Sequence, residues 1–100
     1  MTAEQLRAIM AFLQERVRVA DADGTGTTAI AFQPPSAAEM EAAGLDEEGA
    51  GRIVGSEWFP EMVDEVVTTP AFCDPGDPPE LVLRYARDVV SEYISKRFVP

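Results

Sequence analysis

The chain has 100 residues and a hydrophobic fraction of 46%, which together are enough for one domain with a modest core. It has no histidine and a single cysteine, Cys73, which excludes an internal disulfide, imidazole metal ligands and catalysis by Ser-His or Cys-His pairs. The formal net charge of −10 repels nucleic-acid phosphates and anionic membranes, so we expect no direct binding to nucleic acid or to a membrane.

The first predicted element is an amphipathic helix that ends at about residue 15. Thr2 and Gln5 have the spacing of a capping box, in which side chains satisfy backbone N–H groups at the helix start. The apolar residues that follow recur at the spacing of one helix face: Leu6, Ile9, Met10, Leu13 and Val17.

A β-hairpin is predicted at about residues 16–32. Apolar and polar residues alternate with the period of a strand over 16–19 and again over 28–32, and a segment rich in Asp and Gly separates the two. A continuation of the first helix followed by a loop is the alternative. An isolated hairpin is marginally stable in water, so this one must pack on the helices.

Two short helices are predicted in the middle of the chain. Ser36 and Glu39 form a second capping box, and Gly44 stands where a left-handed C′ residue would end the first of these helices. The second runs through residues 52–54, although two neighbouring glycines each weaken it by roughly 1 kcal/mol relative to alanine.

Two longer helices complete the chain. The first has Pro60 in its first turn and Pro70 beyond its end. Its apolar stripe comprises Phe59, Met62, Val63, Val66 and Val67. The last helix has a broader apolar face, made of Val82, Tyr85, Ala86, Val89, Val90, Tyr93 and Ile94. Its outer side is predicted to carry two oppositely charged i,i+4 pairs: Arg84–Asp88 and Glu92–Lys96.

These patterns predict a mainly α protein, with one compact domain over residues 1–100, four to five helices and one β-hairpin. An α+β fold is the alternative. The apolar run Ala8–Leu13 is too short for a signal peptide or a membrane span, which favours a cytoplasmic location. Seven arginines against one lysine, in a chain rich in alanine, are typical of a GC-rich bacterial genome.

Residues 21–27 resemble the first half of an EF-hand calcium loop. The candidate ligands at its first, third and fifth positions are Asp21, Asp23 and Thr25. The twelfth position, which should supply a bidentate glutamate, is Phe32. The competing interpretation is a polar hairpin turn, in which Asp and Gly are expected anyway. Because a hard cation needs six or more oxygens, we favour the turn and expect no cofactor.

The acidity is concentrated in the middle of the chain. Residues 19–80 hold fourteen acidic residues and one basic residue, for a net charge of −13, whereas both ends are slightly basic. Part of this excess lies on one side of the predicted helix that has Pro60 in its first turn. We name these residues the acidic stripe: Glu57, Glu61, Asp64 and Glu65. Like charges four residues apart cost a helix roughly 0.2–0.5 kcal/mol each, which is the reason to suspect a basic partner; a face that is only solvated is the equal alternative.

Trp58 stands beside the acidic stripe and has two interpretations. As a core residue it needs no functional explanation, whereas an exposed ring rimmed by carboxylates would be the natural anchor of a binding surface. The candidate partner-binding residues are therefore Glu57, Trp58, Glu61, Asp64 and Glu65. Cys73 is not a candidate nucleophile, because acidic neighbours raise the pKa of a thiol rather than lower it.

We expect a non-catalytic protein–protein interaction or regulatory module that presents the acidic stripe to a basic protein partner, and not an enzyme. Association of several copies of the chain is left open. One alternative is an inhibitor that mimics nucleic acid, and another is a small structural subunit of a larger complex. A third is a metal-dependent enzyme that uses carboxylates alone, with two or more of these in one cleft: Glu57, Glu61, Asp64, Asp74 and Asp77.

Overall fold

The structure is a computed structural model, and it describes residues 3–22, 28–44, 47–74 and 76–98. Its elements in chain order are α1 Ala3–Glu15, β1 Val17–Ala22, β2 Thr28–Phe32, α2 Ala37–Ala42, α3 Glu47–Val54, α4 Trp58–Val67, a 3₁₀ helix Thr69–Phe72 and α5 Pro79–Phe98. The predicted fold, mainly α with one hairpin, is confirmed. The predicted capping residue Thr2 lies outside the described residues.

The hairpin confirms the predicted change from helix to strand. β1 and β2 are antiparallel, with Val17 opposite Phe32 and an irregular register between Val19 and Asp21. β1 runs to Ala22, so Asp21, which was expected in the turn, belongs to the strand. β2 packs on α4 and α5 and buries alternate residues, as the strand period requires: Thr28, Ile30 and Phe32.

The longest helix, α5, is the element on which the rest of the core is assembled. Four of its residues, spaced four apart, are at most 3% exposed: Val82, Ala86, Val90 and Ile94. They bring α5 into contact with α1, α4 and both strands. Tyr85 was predicted on this apolar face but is 45% exposed. The buried row moves by about 40° around the helix axis with each step of four residues. It moves away from the side on which Tyr85 lies, so Tyr85 is left exposed.

α2 and α3 pack on each other; α2 buries Met40 in the core and α3 buries Ile53 there. The capping box of α2 is confirmed, because the backbone N–H of Glu39 donates to Ser36 Oγ at 3.2 Å and the backbone N–H of Ser36 donates to the Glu39 carboxylate at 3.3 Å. Gly44 has a φ of 109° just beyond the helix, a conformation that favours glycine, which confirms its predicted role.

The prediction of i,i+4 ion pairs on α5 is wrong. The ion pairs between described residues join Arg16 to Glu39 and Arg52 to Glu48 instead. An exposed pair gains little Coulomb energy in water and must order two long side chains, so spacing alone does not ensure that it forms. Although α5 is 20 residues long, no helix within the described ranges combines the length and apolarity needed to cross a membrane.

Val66 and Val67 are neighbours in α4 with opposite environments, since Val66 is fully buried and Val67 is 42% exposed. We expect Val66→Ala to lower the free energy of unfolding by roughly 2–3 kcal/mol, because it removes two buried methyl groups and leaves a cavity. Val67→Ala should change it by less than about 1 kcal/mol. Both substitutions gain the same helix propensity, so denaturant unfolding of the pair isolates the effect of burial. Equal losses in the two variants would contradict this packing of α4.

Candidate functional site

α4 separates its apolar and acidic residues onto opposite sides. Its buried residues are Phe59, Met62 and Val66. The acidic stripe is exposed at all four of its positions, because residues three and four apart fall on the same side of a helix. Glu57 is the N-cap residue of α4, and its side chain makes no capping hydrogen bond. The stripe is therefore accessible along its whole length.

Nothing on α4 balances the charge of the acidic stripe. Its last turn has no basic residue and carries Asp64 and Glu65, at the end where the helix dipole already places negative charge. Neither of the two ion pairs between described residues includes the stripe. The Thr68 hydroxyl donates to the carbonyl of Asp64 at 2.8 Å, and the Thr69 hydroxyl donates to that of Glu65 at 3.0 Å. These hydroxyls stabilise the helix end without neutralising its charge.

Trp58, the first residue of α4, is half-buried and packs against the core. Its ring stacks on that of Tyr93, with centroids 6.2 Å apart and planes inclined by 26°, and we name these two the ring pair. Trp58 also meets the Phe59 ring edge-on, with centroids 6.2 Å apart. The Trp58 side chain therefore belongs partly to the core and partly to the surface beside the acidic stripe.

Tyr93 connects the ring pair to the acidic stripe. The Glu65 carboxylate interacts with the Tyr93 hydroxyl and is the main reason that the pKa of Tyr93 is raised. That interaction, burial of the phenol and the negative charges of Glu65 and Glu61 together raise the pKa of Tyr93 to about 12. The positive charge of Arg97 lowers the same pKa, as the smallest of these effects.

Arg97 lies over both members of the ring pair. Its guanidinium carbon is 4.8 Å from the Tyr93 ring centroid and 5.2 Å from the Trp58 ring centroid. Sequence reasoning missed Arg97 and Tyr93 as site residues. Their separation of four positions is the signal that could have placed them on one side of α5, whereas their meeting with Trp58 depends on the packing of α5 against α4.

A polar cavity of about 210 Å³ opens beside the ring pair. Its lining residues are Glu65, Glu92, Tyr93, Lys96 and Arg97. Glu65 is the one residue of the acidic stripe that lines it. Two carboxylates, one from each helix, thus share a space with two cations of α5.

A second groove, of about 340 Å³, is lined by residues of α1 and α5, which pack on each other. Gln14 Nε2 donates to the carbonyl of Arg87 at 3.1 Å and to Ser91 Oγ at 2.7 Å. Arg87 Nη2 donates to the carbonyl of Val17 at 3.1 Å. These bonds join α1, β1 and α5 and so stabilise the fold, whereas the buried Nε of Arg87 has no hydrogen-bond partner among the described residues.

Cys73 follows the 3₁₀ helix and is half-buried, with its thiol donating to the carbonyl of Thr69 at 3.5 Å. Burial raises the pKa of the Cys73 thiol, and the charges of Asp77 and Asp74 raise it further. The direction agrees with the effect that the acidic neighbours predict. A thiol with a raised pKa holds little of the thiolate form that acts as a nucleophile.

The candidate calcium ligands Asp23 and Thr25 lie outside the described residues, and of Asp21 only the backbone is described. Asp21 pairs with Ala29 across the hairpin, so antiparallel strands flank this segment, whereas an EF-hand loop joins two helices. In the described part of the chain, no group of three or more Cys, Asp or Glu side chains is placed to hold a metal ion. Calcium binding by Asp21, Asp23 and Thr25, the less favoured interpretation of this segment, stays untested.

The three alternative functions make demands that can be compared with the fold. A nucleic-acid mimic needs its carboxylates on one surface, whereas exposed acidic residues occur on all five helices. A structural subunit needs an exposed apolar patch on α5, but the apolar face of that helix is mostly buried. The cavity beside the ring pair holds Glu65 and Glu92, neither of which was among the carboxylates expected in an enzyme. These findings favour none of the three.

Comparisons of the chain with protein-family models, with curated proteins and with solved structures found no match. The site is therefore defined by the geometry of this chain alone. It consists of the acidic stripe, the ring pair and Arg97.

The effect of Glu65 on Tyr93 predicts how one phenol titrates. Glu65→Gln should lower the pKa of Tyr93 from about 12 toward its usual 10, because it removes the charge that retains the phenolic proton. Asp64→Asn is the matched control, since it neutralises the adjacent residue and should leave the pKa of Tyr93 near 12. Ultraviolet absorbance of the phenolate measures both, after subtraction of the Tyr93→Phe curve. Equal shifts in the two variants would disprove a specific interaction between Glu65 and Tyr93.

The same interaction makes stability depend on pH in the alkaline range. The pKa of Tyr93 is higher in the folded state than its usual 10, so the contribution of the protonated phenol to stability is fully present below pH 10 and is lost as the pH rises toward 12. We expect Tyr93→Phe to lack this part of the alkaline decline in urea unfolding. A decline as steep in Tyr93→Phe as in the wild type would count against it.

Proposed function

We propose that this protein is a small non-catalytic interaction or regulatory module that binds a basic protein partner through the acidic stripe of α4. The observation that carries the proposal is the exposure of four like charges on one side of a helix that has no cation of its own to balance them. A helix face that only contacts solvent can carry mixed charges, which destabilise the helix less than four like charges do.

The free protein bears the cost of this arrangement. The i,i+4 pairs Glu57–Glu61 and Glu61–Glu65 each destabilise α4 by roughly 0.2–0.5 kcal/mol. Asp64 and Glu65 oppose the helix dipole by roughly 0.3–1 kcal/mol at an exposed helix end. The dipole favours Glu57 and Glu61 at the other end, so the like-charge pairs and the last turn carry the cost. A partner that brings lysine or arginine side chains removes these penalties and adds its own attraction, so association is more favourable than it would be for a mixed surface.

The acidity of the whole chain supports the same partner class. A net charge of −10 attracts a basic protein before contact and raises the rate of encounter. Salt screens this attraction over a Debye length of about 8 Å at physiological ionic strength. We therefore expect the interaction to weaken as the salt concentration rises.

Exposed apolar side chains lie where α4 ends. Val67 is 42% exposed in its last turn, and Phe72 is 85% exposed in the 3₁₀ helix that follows. Aromatic side chains are enriched in the centres of interfaces, where they supply non-polar contact area. A partner segment with basic residues and at least one apolar residue fits this combination.

The proposal does not include catalysis, because the chain has no histidine and the pKa of the Cys73 thiol is raised by burial and by neighbouring charges. It does include a bacterial cytoplasmic location, in which a free thiol such as that of Cys73 stays reduced. Both parts are open to direct tests by activity screening and by localisation of the tagged protein.

Neutralising the acidic stripe should weaken binding to a basic probe more than neutralising other exposed acids does. The stripe variant carries E57Q, E61Q, D64N and E65Q. The control variant has the same net charge and carries E4Q, E15Q, E41Q and E80Q, which lie on other helices. We expect the stripe variant to bind tetra-arginine and tetra-lysine peptides about 10-fold more weakly than the wild type in calorimetry at low salt, because each exposed charge contact contributes roughly 0.2–1 kcal/mol.

Equal weakening in the stripe and control variants would show that only net charge matters and would contradict the proposal. Affinity that does not change between low and physiological salt would also contradict it, because exposed charge contacts are screened. Circular dichroism of both variants checks that each keeps its helical content.

A further inference from the structure

Arg97 lies on the ring pair in the way that a bound guanidinium ligand would. Its guanidinium carbon is within 5.2 Å of both ring centroids, a range in which a cation is attracted to an aromatic face. Its side chain is exposed and takes no part in the two ion pairs between described residues. Besides this stacking, Arg97 Nη1 donates to the carbonyl of Tyr93 at 3.4 Å, which is long for a hydrogen bond. Another cation can therefore replace the Arg97 guanidinium on the ring pair.

Carboxylates complete the surroundings of this guanidinium. Glu65 and Glu92 line the same cavity of about 210 Å³ as Tyr93 and Arg97, and Glu65 also acts on the Tyr93 hydroxyl, whose pKa it raises. Aromatic faces beside carboxylate acceptors suit arginine better than lysine. The planar guanidinium stacks on rings and bonds carboxylates in a bidentate way, whereas the ammonium group is a compact and strongly hydrated charge.

We propose that the ring pair is a binding site for an arginine side chain of the partner, and that Arg97 fills this site in the free protein. The inference rests on the proposed function and deepens it, because a basic partner that meets the acidic stripe also meets the rings beside it. On binding, the guanidinium of the partner replaces that of Arg97 on Trp58 and Tyr93, and Arg97 moves into solvent.

Arg97 then acts as a built-in competitor. Because α5 holds it next to the rings, its effective concentration at the site is high, and the partner must displace it. Removing Arg97 should therefore strengthen the binding of arginine peptides. The exposed cation–π contact that is lost corresponds to roughly a two- to five-fold change in affinity.

The chain supplies both the reporter and the matched control for the experiment. Trp58 is its only tryptophan, so its fluorescence reports on the ring pair alone. Lys96 precedes Arg97, is exposed like it and lines the same cavity. K96A and R97A therefore remove the same charge from the same helix end, but only R97A removes the guanidinium that lies over the ring pair.

Tetra-arginine is titrated into the wild type, R97A and K96A while Trp58 emission is recorded. We expect R97A to bind the peptide roughly two- to five-fold more tightly than K96A, with a change in Trp58 emission on binding. Tetra-lysine should show no such difference between the two variants. Circular dichroism confirms that both keep the wild-type fold.

Equal affinities of R97A and K96A for tetra-arginine would overturn the inference, and so would an emission of Trp58 that does not respond to the peptide. Failure of R97A to bind at all would overturn it as well. The stripe variant separates this inference from the proposed function. If it loses binding while R97A and K96A behave alike, the ring-pair site is wrong and the acidic surface stands. If it binds as the wild type does, the acidic surface is wrong.

Discussion

The rest of the structure depends on a row of apolar side chains that α5 buries against α1, α4 and the hairpin: Val82, Ala86, Val90 and Ile94. Burial of apolar surface contributes roughly 25 cal/mol per Å², and it is the dominant favourable term in a domain of this size. Rotation of α5 would expose this row, so its packing sets the orientation of the helix. Tyr93 and Arg97 lie on the same helix and are thereby held over Trp58.

The same burial constraint turns the acidic stripe outward and makes its cost tolerable. Full burial of one large apolar side chain stabilises a fold by roughly 1.5–3 kcal/mol, and α4 buries Phe59, Met62 and Val66. A like-charge pair costs only roughly 0.2–0.5 kcal/mol. α4 can therefore carry an unbalanced acidic face as long as its apolar face stays covered, and this leaves the charge free for an interaction.

The packing also brings together basic and acidic segments that are separate in the sequence. The slightly basic N-terminal end comprises α1 and the start of β1, and the slightly basic C-terminal end lies in α5. α1 packs on α5 and is joined to it by Gln14, which donates to Arg87 and Ser91. The acidic centre contributes α4, which packs on another side of α5. Arg97 carries one of the basic charges to the edge of the acidic stripe, where it meets the ring pair. A basic partner would therefore meet a surface on which a cation of this chain already marks a binding position.

The sequence by itself determined the elements and the two sides of α4. Three predicted features depend only on residues close together in the sequence: the capping box of Ser36 and Glu39, the left-handed Gly44 and the alternation of the hairpin. The exposure of Tyr85, the failure of the predicted ion pairs on α5 and the position of Arg97 over Trp58 were not predicted. Those features depend on how the apolar faces of separate helices interlock, and only the tertiary structure decides which side chains from distant parts of the chain then meet.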